Sequence, residues 1–150
     1  MYQRIMAAID SNYANSNVLA TAIEVAVKFQ AQLALCHALD DTILAQKGVP
    51  QVVFPEGVRP IEASLRSSAQ EFLMAAADVA RAQGVEPEIR LVDSETEHVP
   101  EMLARAAEDW QADLLVLGGH GSQGVERLLG GSVAEQLVRK AGVSLLLVRS

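Results

Sequence analysis

The chain has 150 residues, half of them apolar and a fifth charged, with a formal net charge of −7 and a single cysteine. This suits one globular domain over residues 1–150 with a self-sufficient core, and excludes a disordered chain. The acidic balance, with no basic cluster, argues against a nucleic-acid partner, and a lone cysteine excludes an intramolecular disulfide or a cysteine-based metal site.

Aromatic residues are scarce, so the core must be built from Val, Leu, Ile and Ala. The opening Met1-Tyr2-Gln3-Arg4-Ile5 lacks the apolar region of a signal peptide. No apolar run approaches the ~18 residues of a membrane span. The expectation is a cytoplasmic protein with no membrane insertion. Arg4 to Ile9 is a short apolar run closed by Asp10, the pattern of a strand buried on both faces. From Leu19, apolar residues recur at Ala22, Ile23, Ala26 and Phe29 with helical spacing, and Asn15 or Ser16 can cap that helix. Leu33 to Leu39 is the second strand, parallel to the first because a helix joins them.

Asp40 to Arg59 reads as a long loop, with Gly48, Pro50, Pro55 and Gly57. A second helix is expected from Pro60 to Gln83, stopped by Gly84. Glu88 to Val92 follows as a strand, His98 to Trp110 as a helix and Asp113 to Leu117 as a strand. Ser132 to Ala141 completes the helices, and Val143 to Val148 the strands. Strands alternating with helices mean an α/β fold, a parallel sheet covered on both faces. Ligands of such sheets bind beyond the carboxyl ends of the strands, where Asp10, Ala38 and Gly118 all fall.

The segment Gly118-Gly119-His120-Gly121-Ser122-Gln123-Gly124, continuing to Gly130-Gly131-Ser132-Val133-Ala134-Glu135, leaves a buried strand and ends at a helix start. Free amides in such a loop can form an anion-binding concavity. Ser132 and Glu135 have the spacing of a capping box, so the helix start also offers amides and a positive dipole end to phosphate. No lysine stands between Gly118 and Arg139, which excludes a Walker A loop. The glycines follow the fourth strand rather than the first, which argues against a dinucleotide fingerprint.

Gly118-x2-Gly121-x9-Gly131-Ser132 resembles the phosphate-loop pattern of the universal stress protein family, in its ATP-binding branch. RIMAAID resembles that family's first strand, LALCHALD its second, and LLGGSVAEQLVRKAGVSLLLVR its last helix and strand. The resemblance implies a five-stranded parallel sheet of order 3-2-1-4-5, Rossmann-like, with ATP (or ADP or AMP) between the first and fourth strands. It implies that Ala8, Ile9 and Asp10 border the adenosine and that Ala38 meets the adenine through its backbone. Gly118, Gly119, His120, Gly121, Ser122, Gln123 and Gly124 would wrap ribose and phosphates, with Gly131, Ser132, Val133 and Ala134 at the phosphate end. Two positions depart from the family pattern: Ala8, and Asp93-Ser94-Glu95-Thr96 in place of an acidic-glycine turn.

Individual residues carry a plainer reading beside the functional one. Asp10 can cap the following turn, or contact the ribose or a phosphate-bound Mg ion. Cys36 reads as buried and inert, His37 as a structural histidine, and His98 as a surface residue. His120 is expected to meet the nucleotide through its backbone. Arg127 is either a phosphate contact or a solvated side chain, and the acids from 93 to 101 read as a solvated helix entrance. With no Walker lysine and no evident acid–base pair beyond Asp10 and His120, the expectation is nucleotide binding without fast turnover, hence no catalytic residues. The function expected is that of a nucleotide-dependent regulator in stress response, the Asp40–Arg59 loop being the surface that changes with occupancy. A nucleotide-free interaction protein of the same fold and a slow ATPase are the alternatives. The apolar closing strand is expected at a sheet edge, pairing in a homodimer.

Overall fold

The computed structural model describes residues 1–40, 60–94, 96–118, 137, 139 and 142–149. Its elements in chain order are β1 (Arg4–Ala8), a 3-10 turn (Tyr13–Asn15), α1 (Val18–Phe29), β2 (Gln32–Asp40), α2 (Pro60–Ala82), β3 (Glu88–Ser94), α3 (Val99–Trp110), β4 (Leu114–Gly118) and β5 (Ser144–Val148). The five strands form one parallel sheet in the order β3-β2-β1-β4-β5, as expected.

Alternation along the strands sorts their side chains to two faces. Ile5, Ala7, Leu33, Leu35, Leu114 and Val116 join α1 and α2 in one core, where Leu19, Ile23, Leu73 and Ala77 are buried. Met6, Ala34, Cys36, Leu115 and Leu117 join α3 and Leu137 in the other. Both layers rely on alanine where helix meets sheet: Ala22, Ala26, Ala76 and Ala80 on one side, Ala106 and Ala107 on the other. Small side chains let the helices approach the sheet closely. Leu137 and Arg139 have helical backbone; the rest of the expected fourth helix lies outside the described residues, as does the segment from 41 to 59.

Several boundaries differ from expectation for identifiable reasons. Neither residue expected to cap α1 does so: the cap position is Asn17, without a side-chain cap bond, while Ser16 Oγ accepts the Val18 N–H at 3.1 Å from one residue earlier and Asn15 donates to Asn12 Oδ1 at 3.2 Å. β2 runs to Asp40, one residue into the expected loop, because β3 continues beside it. β3 itself runs past Val92, with Asp93 opposite Leu39 and Ser94 opposite Asp40. Where the family pattern has an acidic-glycine turn, Ser94 Oγ accepts the N–H groups of Thr96 (3.2 Å) and Glu97 (3.0 Å) on the way into α3. Gly84 ends α2 at φ +86°, with the Val85 N–H reaching the Ala80 carbonyl at 3.0 Å.

Candidate functional site

The chain leaving β1 turns to the face covered by α1, and Leu137, which follows β4 in sequence, is buried on the opposite face. β1 and β4 are neighbours, so a crevice opens at their carboxyl ends, where the order of the sheet reverses. Of the residues expected there, Ala8, Ile9, Asp10, Ala38 and Gly118 are described. Gly118 is the last residue of β4, so the glycine-rich segment begins at this crevice. Gly119, His120, Gly121, Ser122, Gln123, Gly124, Arg127, Gly131, Ser132, Val133 and Ala134 lie outside the described residues.

The structure brings the five together by register. Ala8 stands opposite Cys36, and one step further along the same register Ile9 is level with His37 and Asp10 with Ala38. Met6 pairs with Leu115 and Ala7 with Val116, which continues to place Gly118 level with Ile9. Ile9 is buried at 3% exposure and Ala38 at 9%, while Ala8, Asp10 and Gly118 are half-buried. Ala8, Ala38 and Gly118 carry small side chains or none along this end of the strands, and Ile9 is turned into the core.

Asp10 shows the plainer of its two expected roles. Its Oδ1 accepts the Asn12 N–H at 2.9 Å and its carbonyl accepts the Tyr13 N–H at 3.1 Å, so it caps the turn that leads to α1. One carboxylate oxygen is thus committed to the fold. Among the described residues, no group of three or more His, Cys, Asp or Glu side chains could hold a metal ion by itself.

His37 was read as structural, and its surroundings support that while adding detail. Its Nδ1 lies 2.7 Å from the Ile9 carbonyl, and its ring meets Phe72 of α2 edge-on at 4.9 Å. Burial lowers its pKa; the hydrogen bond to Ile9 and the nearby Asp10 charge pull the other way without overcoming it. Cys36 is buried, and burial pushes its thiol up to about 12 against a smaller opposing effect of Arg90. The thiol is buried, as expected. His98 is exposed, again as expected. Two of the acids near α3 form ion pairs at the surface, Asp93 with Arg66 of α2 and Glu97 with Arg105, a detail the expected solvated entrance did not include. The reach of Arg66 to β3 and of His37 to Ile9 spans 27 and 28 residues, and no local pattern announces either.

The universal stress protein family model matches residues 1–149. A putative universal stress protein of Staphylococcus epidermidis is 30% identical over 155 aligned positions, covering 99% of this chain and 85% of the relative. A crystal structure of a universal stress protein family member from Burkholderia pseudomallei superposes with a TM-score of 0.72 at 28% identity, covering 99% of this chain and 97% of the other. A universal stress protein solved in complex with cAMP shares the fold at a TM-score of 0.67 and 24% identity, over 99% of this chain and 97% of that one. This chain belongs to the universal stress protein family.

Proposed function

We propose that this member of the universal stress protein family binds an adenine nucleotide at the carboxyl ends of β1, β2 and β4 and acts as a nucleotide-dependent regulator. The observation that carries the reading is the coincidence of Gly118, first residue of the Gly-x2-Gly-x9-Gly-Ser pattern, with the end of β4 at the crevice. The same fold in another protein is complexed with cAMP, an adenine nucleotide.

In this reading Ala8, Ile9 and Asp10 border the adenosine, and the Ala38 backbone meets the base. The segment from Gly118 to Gly124 wraps ribose and phosphates, with Gly131 to Ala134 at the phosphate end. Bound ATP would supply the charge to be sensed and Asp10 a carboxylate for its magnesium. The absence of lysine from Gly118 to Arg139 favours holding a triphosphate over cleaving it. A cytoplasmic location belongs to the same reading; among the described residues no helix is long and apolar enough to cross a membrane.

The test is to denature the purified protein, identify any released nucleotide by chromatography, and then titrate the apoprotein with ATP and magnesium. Adenine nucleotide in the extract, or saturable ATP binding weakened about tenfold by Asp10→Ala, is the expected result. No binding at millimolar ATP would refute the reading.

A homodimer through β5 is part of the proposal, and the two sheet edges favour it. β3 carries Glu88, Arg90 and Asp93, charges that discourage pairing with another chain. β5 is Ser-Leu-Leu-Leu-Val, uncharged, with Leu147 44% exposed. Light scattering at micromolar concentration should give the dimer mass; a monomer mass would remove this part.

A further inference from the structure

We propose that His37 is a positioning residue, whose ring ends the pairing of β1 with β2 and sets the backbone of Ile9, Asp10 and Ala38 for the ligand. The proposal rests on the nucleotide reading above for its consequence in binding, and on hydrogen-bond geometry for the rest.

In a parallel ladder, the N–H and C=O of one residue face the same neighbouring strand. The Ile9 N–H goes to the Cys36 carbonyl at 2.7 Å, so the Ile9 carbonyl also faces β2. A ladder continued by one more step would offer that carbonyl to the Ala38 N–H. The described pairing stops at Ala8 opposite Cys36, and the His37 side chain takes the Ile9 carbonyl at 2.7 Å. A carbonyl can only accept, so Nδ1 carries the proton and donates it. The depressed pKa agrees with a neutral ring in that tautomer.

The ring is itself held. Phe72 meets it edge-on with an interplanar angle of 85°, and Phe72 packs against the core formed by α1 and α2. One side chain thereby links α2 to the exit of β1. Directly beyond Ile9, Asp10 builds the turn to Asn12 and Tyr13. Releasing the Ile9 carbonyl would free the peptide that aims Asp10. It would also let the Ala38 amide complete the ladder instead of meeting a base. His37 is bonded to the Ile9 backbone beside Ala38, so its effect should fall on recognition of the base rather than on the phosphates.

Two variants of the full chain separate the roles of the ring. His37→Phe keeps the aromatic contact with Phe72 and removes the Nδ1 proton; His37→Asn keeps an N–H at the same branch of the side chain and removes the aromatic ring. Expected for His37→Phe is about tenfold faster hydrogen exchange at Ile9, Asn12 and Tyr13, with β4 amides unchanged. ATP affinity should fall about tenfold while inorganic triphosphate, which has no base, binds as before. His37→Asn should stay within about threefold of the wild type in both measurements. Equal exchange rates in His37→Phe and wild type would overturn the proposal, as would a parallel loss of triphosphate binding. If His37→Phe does not fold, nitrogen NMR of the wild-type ring decides: a protonated Nδ1 supports the role, and a proton on Nε2 alone refutes it. If the wild type binds no ATP while His37→Phe shows the faster exchange, the nucleotide reading falls and the positioning role stands.

Discussion

The two ends of the parallel sheet are held by different means. At the amino end, side chains stitch the strands across the sheet. Asp113, just before β4, accepts the N–H groups of Gln3 at 2.9 Å and Arg4 at 3.1 Å, while its own N–H reaches the Arg4 carbonyl at 2.9 Å. The Arg4 guanidinium lies 4.1 Å over the Trp110 ring, donates to the Trp110 carbonyl at 2.8 Å, and reaches Gln32 at the start of β2. Trp110 in turn donates its indole N–H to Glu88 on β3. Four strands are joined this way. At the carboxyl end the walls are Ala8, Ile9, Ala38 and Gly118, with Asp10 and His37 bonded to nearby backbone. The difference is one of density and side-chain size. At the amino end linked side-chain bonds cross four strands. At the carboxyl end the long-range bonds of His37 to Ile9, Arg66 to Asp93 and Asn17 to the Arg149 carbonyl surround a row of small residues, the side to which the proposed function assigns the ligand.

The severest test of that division is Trp110→Ala. The side chain is only 5% exposed, and its loss removes core packing, the Arg4 stacking contact and the Glu88 bond together. A destabilisation of about 3–5 kcal/mol is expected, measured by the shift of the urea midpoint. ATP affinity of the protein that remains folded should be unchanged. An affinity loss as large as the stability loss would break the comparison, since the two ends would then be one cooperative unit.

An effect of similar size over its whole window, but smaller per pH unit, is expected from pH, and it concerns the carboxyl end. Cys36 stands opposite Ala8, and its thiol is raised to about 12 by burial, from an unperturbed 9.0. The folded state therefore keeps the proton where the unfolded chain releases it. Its contribution to stability is complete below pH 9.0 and is lost as the pH rises toward about 12. The wild type should lose roughly 1.4 kcal/mol per pH unit more than Cys36→Ala across that window. At pH 8 the native thiol should resist alkylation and react once urea unfolds the chain. Rapid native alkylation would show that this end opens locally, and the division would become one of mobility as well as of chemistry.

These contrasts also explain what could be read from the sequence. Apolar runs closed by Asp10, by Asp40 and by Gly118 mark strand ends, because a doubly buried strand has no other pattern. The crevice followed from them. The amino-end network was not legible, because Gln3 and Asp113 are 110 residues apart and each reads locally as an ordinary polar residue at a strand start. β3 was read two residues short because Asp93 and Ser94 have the chemistry of a turn. Pairing with Leu39 and Asp40, and the link from Arg66 to Asp93, overrode that preference. His37 could be assigned a structural role from its place in a strand. Which carbonyl it would hold depended on where β1 stopped.

The amino end also holds the smallest prediction. α1, α2 and α3 all end there with the same closure: the Ala31, Val85 and Ala112 N–H groups reach back five residues to Ala26 (2.9 Å), Ala80 (3.0 Å) and Ala107 (2.8 Å). That closure needs a left-handed residue just past the helix, and only α2 supplies glycine, at Gly84. The other two use Gln30 at φ 52° and Gln111 at φ 59°, a conformation that costs a side chain about 1–2 kcal/mol. Glycine would relieve that cost but gain about 0.5–1 kcal/mol of unfolded-state freedom. Gln30→Gly and Gln111→Gly should each stabilise the fold by about 0.5–1 kcal/mol and leave ATP affinity untouched. The two sites belong to different helices and different cores, so the double variant should show nearly the sum. A stabilised amino end with slower hydrogen exchange at Ile9 and Asn12 would mean that strain there is felt across the sheet. Unchanged exchange at those amides would confirm that the two ends are tuned separately.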